Sequence, residues 1–178
     1  MKIVRIISLV VFLSVLSCNK FENKFDINYS NLEALEDDFG RCSFKVPKGV
    51  FKKVETNLFV SEKLKAKIEF SSNWYLPNDL DFMSSKEELI EKCSKNMEII
   101  SSKSDDNSIE LIGKDSKNYF FIKGYFNLID ALNDKEAYII QGFQMGILKM
   151  KIPLENKFEF EKIIRVLNNS YICNFGEF

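Results

Sequence analysis

The groups that could do chemistry in this chain are carboxylates and thiols, because its 178 residues include 26 Asp and Glu, 4 Cys and no His. Without an imidazole there is no side chain whose ordinary pKa suits general-base work near neutral pH. Ser–His and Cys–His nucleophilic catalysis is therefore excluded. Two carboxylate pairs remain, Asp79 with Asp81 and Asp105 with Asp106. A glycosidase dyad needs two carboxyls at a set separation, one of them with a raised pKa. Asp79 and Asp81 instead fall in a loop-like stretch and Asp105-Asp106-Asn107 in a turn-like one, where solvation is the default. A carboxylate-based enzyme is accordingly the weakest reading of the chain. Asp105 to Glu110 offers oxygen ligands without the Asp-x-Asp-x-Asx-Gly order of a calcium loop. There is no Gly-rich phosphate loop, since Gly142 and Gly146 lie in or beside strand-like runs, where glycine marks a bulge or turn. Neither a metal nor a cofactor is expected.

The first thiol reads differently. Residues 1–18, MKIVRIISLVVFLSVLSC, hold a basic start (Lys2, Arg5), an apolar run from Ile6 to Leu16, a small residue and Cys18. This is the layout of an export signal. The run is shorter than the roughly 20 residues a spanning helix needs, and polar Asn19-Lys20 follows at once. The ending Val15-Leu16-Ser17-Cys18 resembles the bacterial lipobox. That resemblance implies a signal peptide of residues 1–17, cleaved so that Cys18 becomes the first residue of a lipoprotein. Its thiol would carry a diacylglyceryl group and its amine a further chain such as palmitate, each methylene buried contributing about 0.8 kcal/mol to membrane anchoring. The domain then lies in the cell envelope, outside the cytoplasm. Asn19, standing where an Asp would retain the protein in the inner membrane, implies the outer membrane if the source has two.

Cys42, Cys93 and Cys173 remain, an odd number without CxxC spacing. With no His the usual mixed zinc sites are excluded. In an oxidising compartment a disulfide is expected between Cys42 and Cys173, each in a short strand-like segment near one end of the domain; spacing alone leaves the connectivity open. Cys93 falls on the apolar face of a predicted helix, the place of a small core residue.

Loss of Lys2 and Arg5 with the leader takes the formal net charge from −1 to −3. The two signs are interleaved, as in Glu62-Lys63-Leu64-Lys65 and Glu87-Glu88-Leu89-Ile90-Glu91-Lys92. A nucleic-acid partner, which wants basic residues massed on one face, is excluded.

These groups must be positioned by one α+β domain over residues 41–178, preceded by a tether over 18–40. Within the tether, Ser30-Asn31-Leu32-Glu33 has capping-box spacing and predicts a short helix through Asp37. Alternation predicts strands at 41–50, 58–60 and 66–70, then a loop from Asn73 to Phe82 carrying Trp74 and Tyr75. Ser85 and Glu88 are spaced to cap a helix whose stripe, Leu89, Cys93, Met97 and Ile100, runs to Ser101. Strands follow at Ile109–Ile112, Tyr119–Ile129, Glu136–Phe143 and Ile147–Ile152, forming an antiparallel meander. A second helix, Phe158–Asn168, with Phe160, Ile163, Ile164 and Leu167 on one side, and a short strand around Tyr171–Cys173 close the chain. Two main amphipathic helices packed on an antiparallel sheet give a layered α+β domain.

The order of parts is similar to the PsbP-like family, which includes the bacterial DcrB-like lipoproteins. The likeness is carried by Phe44-Lys45-Val46-Pro47-Lys48-Gly49, by Lys149-Met150-Lys151-Ile152-Pro153 and by residues 160–170. Val50-Phe51 stands where the family has Trp. The resemblance implies a binding or assembly role without a shared active site, so it transfers no functional residue. Trp74, Tyr75, Tyr125 and Phe126 are the candidate ligand surface. Function reads as a lipid-anchored, noncatalytic binding or assembly module for a protein or small ligand, with an immunity or inhibitor lipoprotein against a toxin as the alternative.

Overall fold

A computed structural model describes residues 24–37, 40–75, 86–133 and 138–175, with side chains described outside 72–89 and 127–144. Its elements are β1 (Leu32–Glu36), β2 (Cys42–Pro47), β3 (Lys52–Glu55), β4 (Leu58–Ser61), β5 (Ala66–Tyr75), α1 (Lys86–Ser94), β6 (Glu98–Ser104), β7 (Ser108–Lys114), β8 (Asn118–Asn133), β9 (Tyr138–Pro153), a single 3-10 turn, α2 (Lys157–Ser170) and β10 (Ile172–Cys173). They form a small sheet of 3 strands, ordered β1-β2-β10, and a large one of 7, ordered β3-β4-β5-β9-β8-β7-β6. Every pairing is antiparallel. The class is α+β, and the large sheet is two meanders, β3-β4-β5 and β6-β7-β8-β9, zipped together where β5 meets β9.

Strands β8 and β9 are each 16 residues long. They pair in one unbroken register from Asn118 opposite Pro153 to Asn133 opposite Tyr138. Because successive side chains leave opposite faces, this register sorts the centre of the sheet into two sides. Phe121 and Tyr125 of β8, with Leu148, Met150 and Ile152 of β9, face α2 and the small sheet, where they meet Phe44, Phe59, Phe160, Ile163, Leu167 and Tyr171. Ile122 and Phe126, with Met145 and Ile147, face α1, where they meet Cys93, Ile109 and Leu111. The buried Lys123, 8% exposed, donates to the Asn168 carbonyl (2.8 Å) and to Asn168 Oδ1 (2.6 Å). Its charge thus sits at the C-terminal end of α2, where the helix dipole is negative.

Four expectations are corrected. The helix predicted over Ser30–Asp37 is strand β1: it pairs with β2 from Leu32 opposite Pro47 to Glu36 opposite Ser43. Glu33 accepts from the Gly49 N–H at 2.7 Å instead of reaching back to Ser30, so ladder pairing overrides the capping pattern. Ahead of β1, Ile27 lies in the core, with Phe25 and Tyr29 packed on it. Helix α1 ends at Ser94, not Ser101; the chain turns, and Ile100 lies in β6, 50% exposed. Strand β5 runs on to Tyr75, through the start of the predicted loop, because β9 continues opposite it as far as Phe143.

The fourth correction is that β9 is one strand, where a break around Gly142 and Gly146 was expected. Gly146 pairs with Ser72 on one side and Tyr125 on the other. Its missing side chain makes room for a disulfide between Cys42 and Cys173. A Cβ there would lie 2.5 Å from Cys173 Sγ, 2.7 Å from Cys42 Sγ and 3.1 Å from Tyr171 Oη. The bond staples β2 to β10, which face each other at those two residues, and rests the small sheet on the middle of the large one.

Two tests follow from this packing. Removing the disulfide as Cys42→Ala/Cys173→Ala costs about 2–4 kcal/mol in urea unfolding, and Gly146→Ala costs about 1–3 kcal/mol in the bonded protein. Combined, the glycine penalty shrinks because the added methyl now has space; strictly additive losses would contradict the contact. Burial raises the Tyr29 phenol to about 12, with the Glu159 carboxylate adding to the shift, and it raises Tyr171 as well, with Tyr125 and Asp37 adding. Unfolded phenols release their protons near pH 10 while these retain theirs, so stability is full below about pH 10 and falls as pH climbs toward about 12. The urea midpoint should drop across that window, and Tyr29→Phe should lessen the drop. A flat midpoint would contradict the burial.

Candidate functional site

Among the described residues, the covering on the α1 side of the large sheet runs out. Met145 and Ile147 of β9 are buried under α1, but the next residues on that face are Lys149 and Lys151. In register beside them, Lys67 of β5 lies opposite Lys151, and Glu69 lies opposite Lys149. On the other side Phe120 of β8 pairs with Lys151, and Ile122 with Lys149. These two cross-strand rows floor a groove of about 480 Å³, bounded along α1 and the turn after it by Lys92, Cys93, Asn96 and Met97. That size lies within the range of small-molecule sites.

The groove is cationic above an apolar floor. Among the described residues, Lys67, Lys92, Lys149 and Lys151 line it together with the carboxylate of Glu69, which is held by Lys67 through a direct ion pair. The Lys151 ammonium sits 5.7 Å from the centre of the Phe120 ring, a cation–π contact that lays the stem across the floor. Like charges directly opposite each other in a sheet, as Lys67 and Lys151 are, oppose pairing by roughly 0.2–1 kcal/mol. At the α1 wall Cys93 is 9% exposed. Its thiol is pushed above the ordinary value by burial, with Lys149 pulling the other way. A buried thiol with a raised pKa packs as a small apolar group.

Of the four aromatics singled out in the sequence, Tyr125 and Phe126 are brought to opposite faces of β8. Tyr125 lies 5.3 Å from the Tyr171 ring in the core, and Phe126 packs beneath α1. Trp74 and Tyr75 occupy the end of β5, in register with Gln144 and Phe143; their side chains, like Cys18, Asp79 and Asp81, lie outside the described residues. Asp105 closes the β6–β7 turn, its Oδ1 accepting from the Asn107 and Ser108 N–H groups at 3.0 and 2.7 Å. Asp115 does the same for β7–β8, and those backbone hydrogen bonds lower its pKa. Among the described residues no three His, Cys, Asp or Glu side chains gather as a metal site would require.

The lysines of the groove escaped the sequence reading because they were counted as one half of an interleaved surface. The signal was alternation: Leu148, Met150 and Ile152 are buried while Lys149 and Lys151 between them are not. In a central strand with both faces covered, neither lysine would be tolerated. No protein-family model matches the chain, and no curated protein matches it.

The raised thiol yields a direct check. At about pH 8, N-ethylmaleimide should modify Cys93 in the native protein roughly tenfold or more slowly than in the denatured chain, read by mass spectrometry of the Cys93 peptide. Equal rates would contradict its placement in the groove wall.

Proposed function

We propose that the protein is a lipid-anchored lipoprotein of the cell envelope and that its domain is a noncatalytic binding module. The observation that carries the reading is Cys18, placed behind a basic start, an apolar run and Val15-Leu16-Ser17. The bond between Cys42 and Cys173 supports it, because structural disulfides persist in oxidising compartments and are rare in the cytoplasm. The fold reading extends to a likeness with the PsbP-like family. Its three motif segments fall in β2 and the turn after it, at the end of β9, and in α2; with that likeness goes a binding or assembly role. Asn19 favours the outer membrane of a two-membrane source.

The physical consequence is confinement. The fold takes hold at Phe25, which packs on the core. The six residues 19–24 then reach at most about 20 Å when fully extended. A domain on so short a leader works at the bilayer surface, and its ligand is a small molecule or protein met there.

Growth with an alkyne palmitate analogue should label the wild-type chain and leave Cys18→Ser unlabelled, with the wild type alone recovered in the membrane fraction. Equal labelling of both would overturn the anchor.

A further inference from the structure

We propose that the groove between α1 and the β5–β9–β8 face binds a single-chain anionic amphiphile, a carboxylate or phosphate monoester on one acyl chain, drawn from the adjacent membrane. The headgroup is held by Lys67, Lys149 and Lys151, and the chain lies along Phe120, Ile122 and Met97. The proposal deepens the binding-module reading by naming the ligand class, and it rests on that reading for the membrane as the source.

Charge complementarity is the first argument. The chain as a whole carries a formal net charge of −1, yet among the described residues Lys67, Lys149 and Lys151 stand together in this groove with Glu69, and that glutamate is engaged by Lys67. Asp115 senses Lys151, but its Oδ1 accepts the N–H groups of Lys117 and Asn118. Among the described residues Lys149 and Lys151 therefore face no matching row of anions, and the Lys67–Lys151 register makes a bound anion stabilising. The floor supplies the second argument. An aromatic ring and an isoleucine lie in the floor and the flexible thioether of Met97 in the wall, a lining suited to an acyl chain and unsuited to a fully hydrated ion.

Placement supplies the third. Lys24, at the tether, forms an ion pair of 4.0 Å with Glu155, and so does Lys65. Lys65 stands two residues from Lys67, and Glu155 four from Lys151. Lys24 thus meets the domain at the end of the sheet where the groove begins.

The test uses the full chain carrying Cys18→Ser, so that no lipid of its own is attached, titrated calorimetrically with laurate, dodecyl phosphate, dodecyltrimethylammonium and inorganic phosphate, each below its micellar range. Laurate and dodecyl phosphate should bind, with the cationic analogue and inorganic phosphate at least about tenfold weaker. Lys149→Glu/Lys151→Glu should weaken laurate at least about tenfold with an unchanged thermal transition, and the milder Lys149→Gln/Lys151→Gln should weaken it less. Equal affinity for the cationic analogue, or full binding by the charge-reversed protein, overturns the headgroup assignment. Inorganic phosphate binding as tightly as dodecyl phosphate overturns the acyl-chain half. A dimer abolished by the charge reversal, without amphiphile binding, assigns the groove to a second copy and overturns the proposal. Because the protein tested has no lipid, these outcomes are independent of palmitate labelling: a labelled Cys18 with no laurate binding leaves the anchor standing and removes the ligand.

Discussion

The pairing of β8 with β9 is the constraint on which the rest of the molecule depends. One register over the full length of both strands decides which side chains face α2 and which face α1, because a slip by a single residue would exchange the two sets. In the register observed, Phe121, Leu148 and Met150 enter the main core and Lys149 and Lys151 stay out of it. A slipped pairing would bury two ammonium groups under α2, a steep cost unless each found partners as Lys123 does in Asn168. The lysines thus act first as a register device, holding β9 in place by what they refuse to enter.

The two faces of the sheet are finished in different ways. On the α2 side everything converges on Gly146, where the disulfide and the Tyr171 hydroxyl occupy the space of a missing side chain. Tyr171 leads from α2 directly into β10, and its ring meets both Phe70 and Tyr125. Helix, small sheet and large sheet are therefore joined at one point by packing and by a covalent bond. On the α1 side the helix is 9 residues long and, among the described residues, covers only part of the sheet, leaving the groove along Lys67, Lys149 and Lys151 open. The closed face gives the domain its stability. The open face is where it can meet something else.

How much of this could be read in the sequence depended on whether the deciding interaction was local. Helix α2 was legible because Phe160, Ile163 and Leu167 recur at helical spacing and are buried for that reason. The β7–β8 hairpin was legible through the turn residues Asp115 and Asn118, whose side chains close it. By contrast Ser30–Glu33 carries a helix-start pattern overruled by a partner strand beyond Arg41, and Met97 and Ile100 continued a helical stripe past the point where β7 captures the chain as β6. The candidate site was least legible of all. Lys67, Lys149 and Phe120 are scattered over more than 80 positions in the chain and become neighbours only through strand order. The aromatic set fared differently for a related reason: Tyr125 and Phe126, adjacent in sequence, are separated by the thickness of the sheet.

On the proposed reading, the chemistry of the domain is that of holding a ligand. Its one described free thiol is neutral in a wall, its turn aspartates are engaged by backbone N–H groups, and its cationic groove has an apolar floor. Joined to a lipid on Cys18, such a domain would meet its ligand within a few nanometres of a bilayer. The most direct measurement is a crystal structure of the protein grown with dodecyl phosphate. The account predicts the phosphate within hydrogen-bonding distance of Lys149 and Lys151, with the chain against Phe120. Ligand bound on another surface, or the groove filled by the protein's own residues while ligand is present, would contradict it.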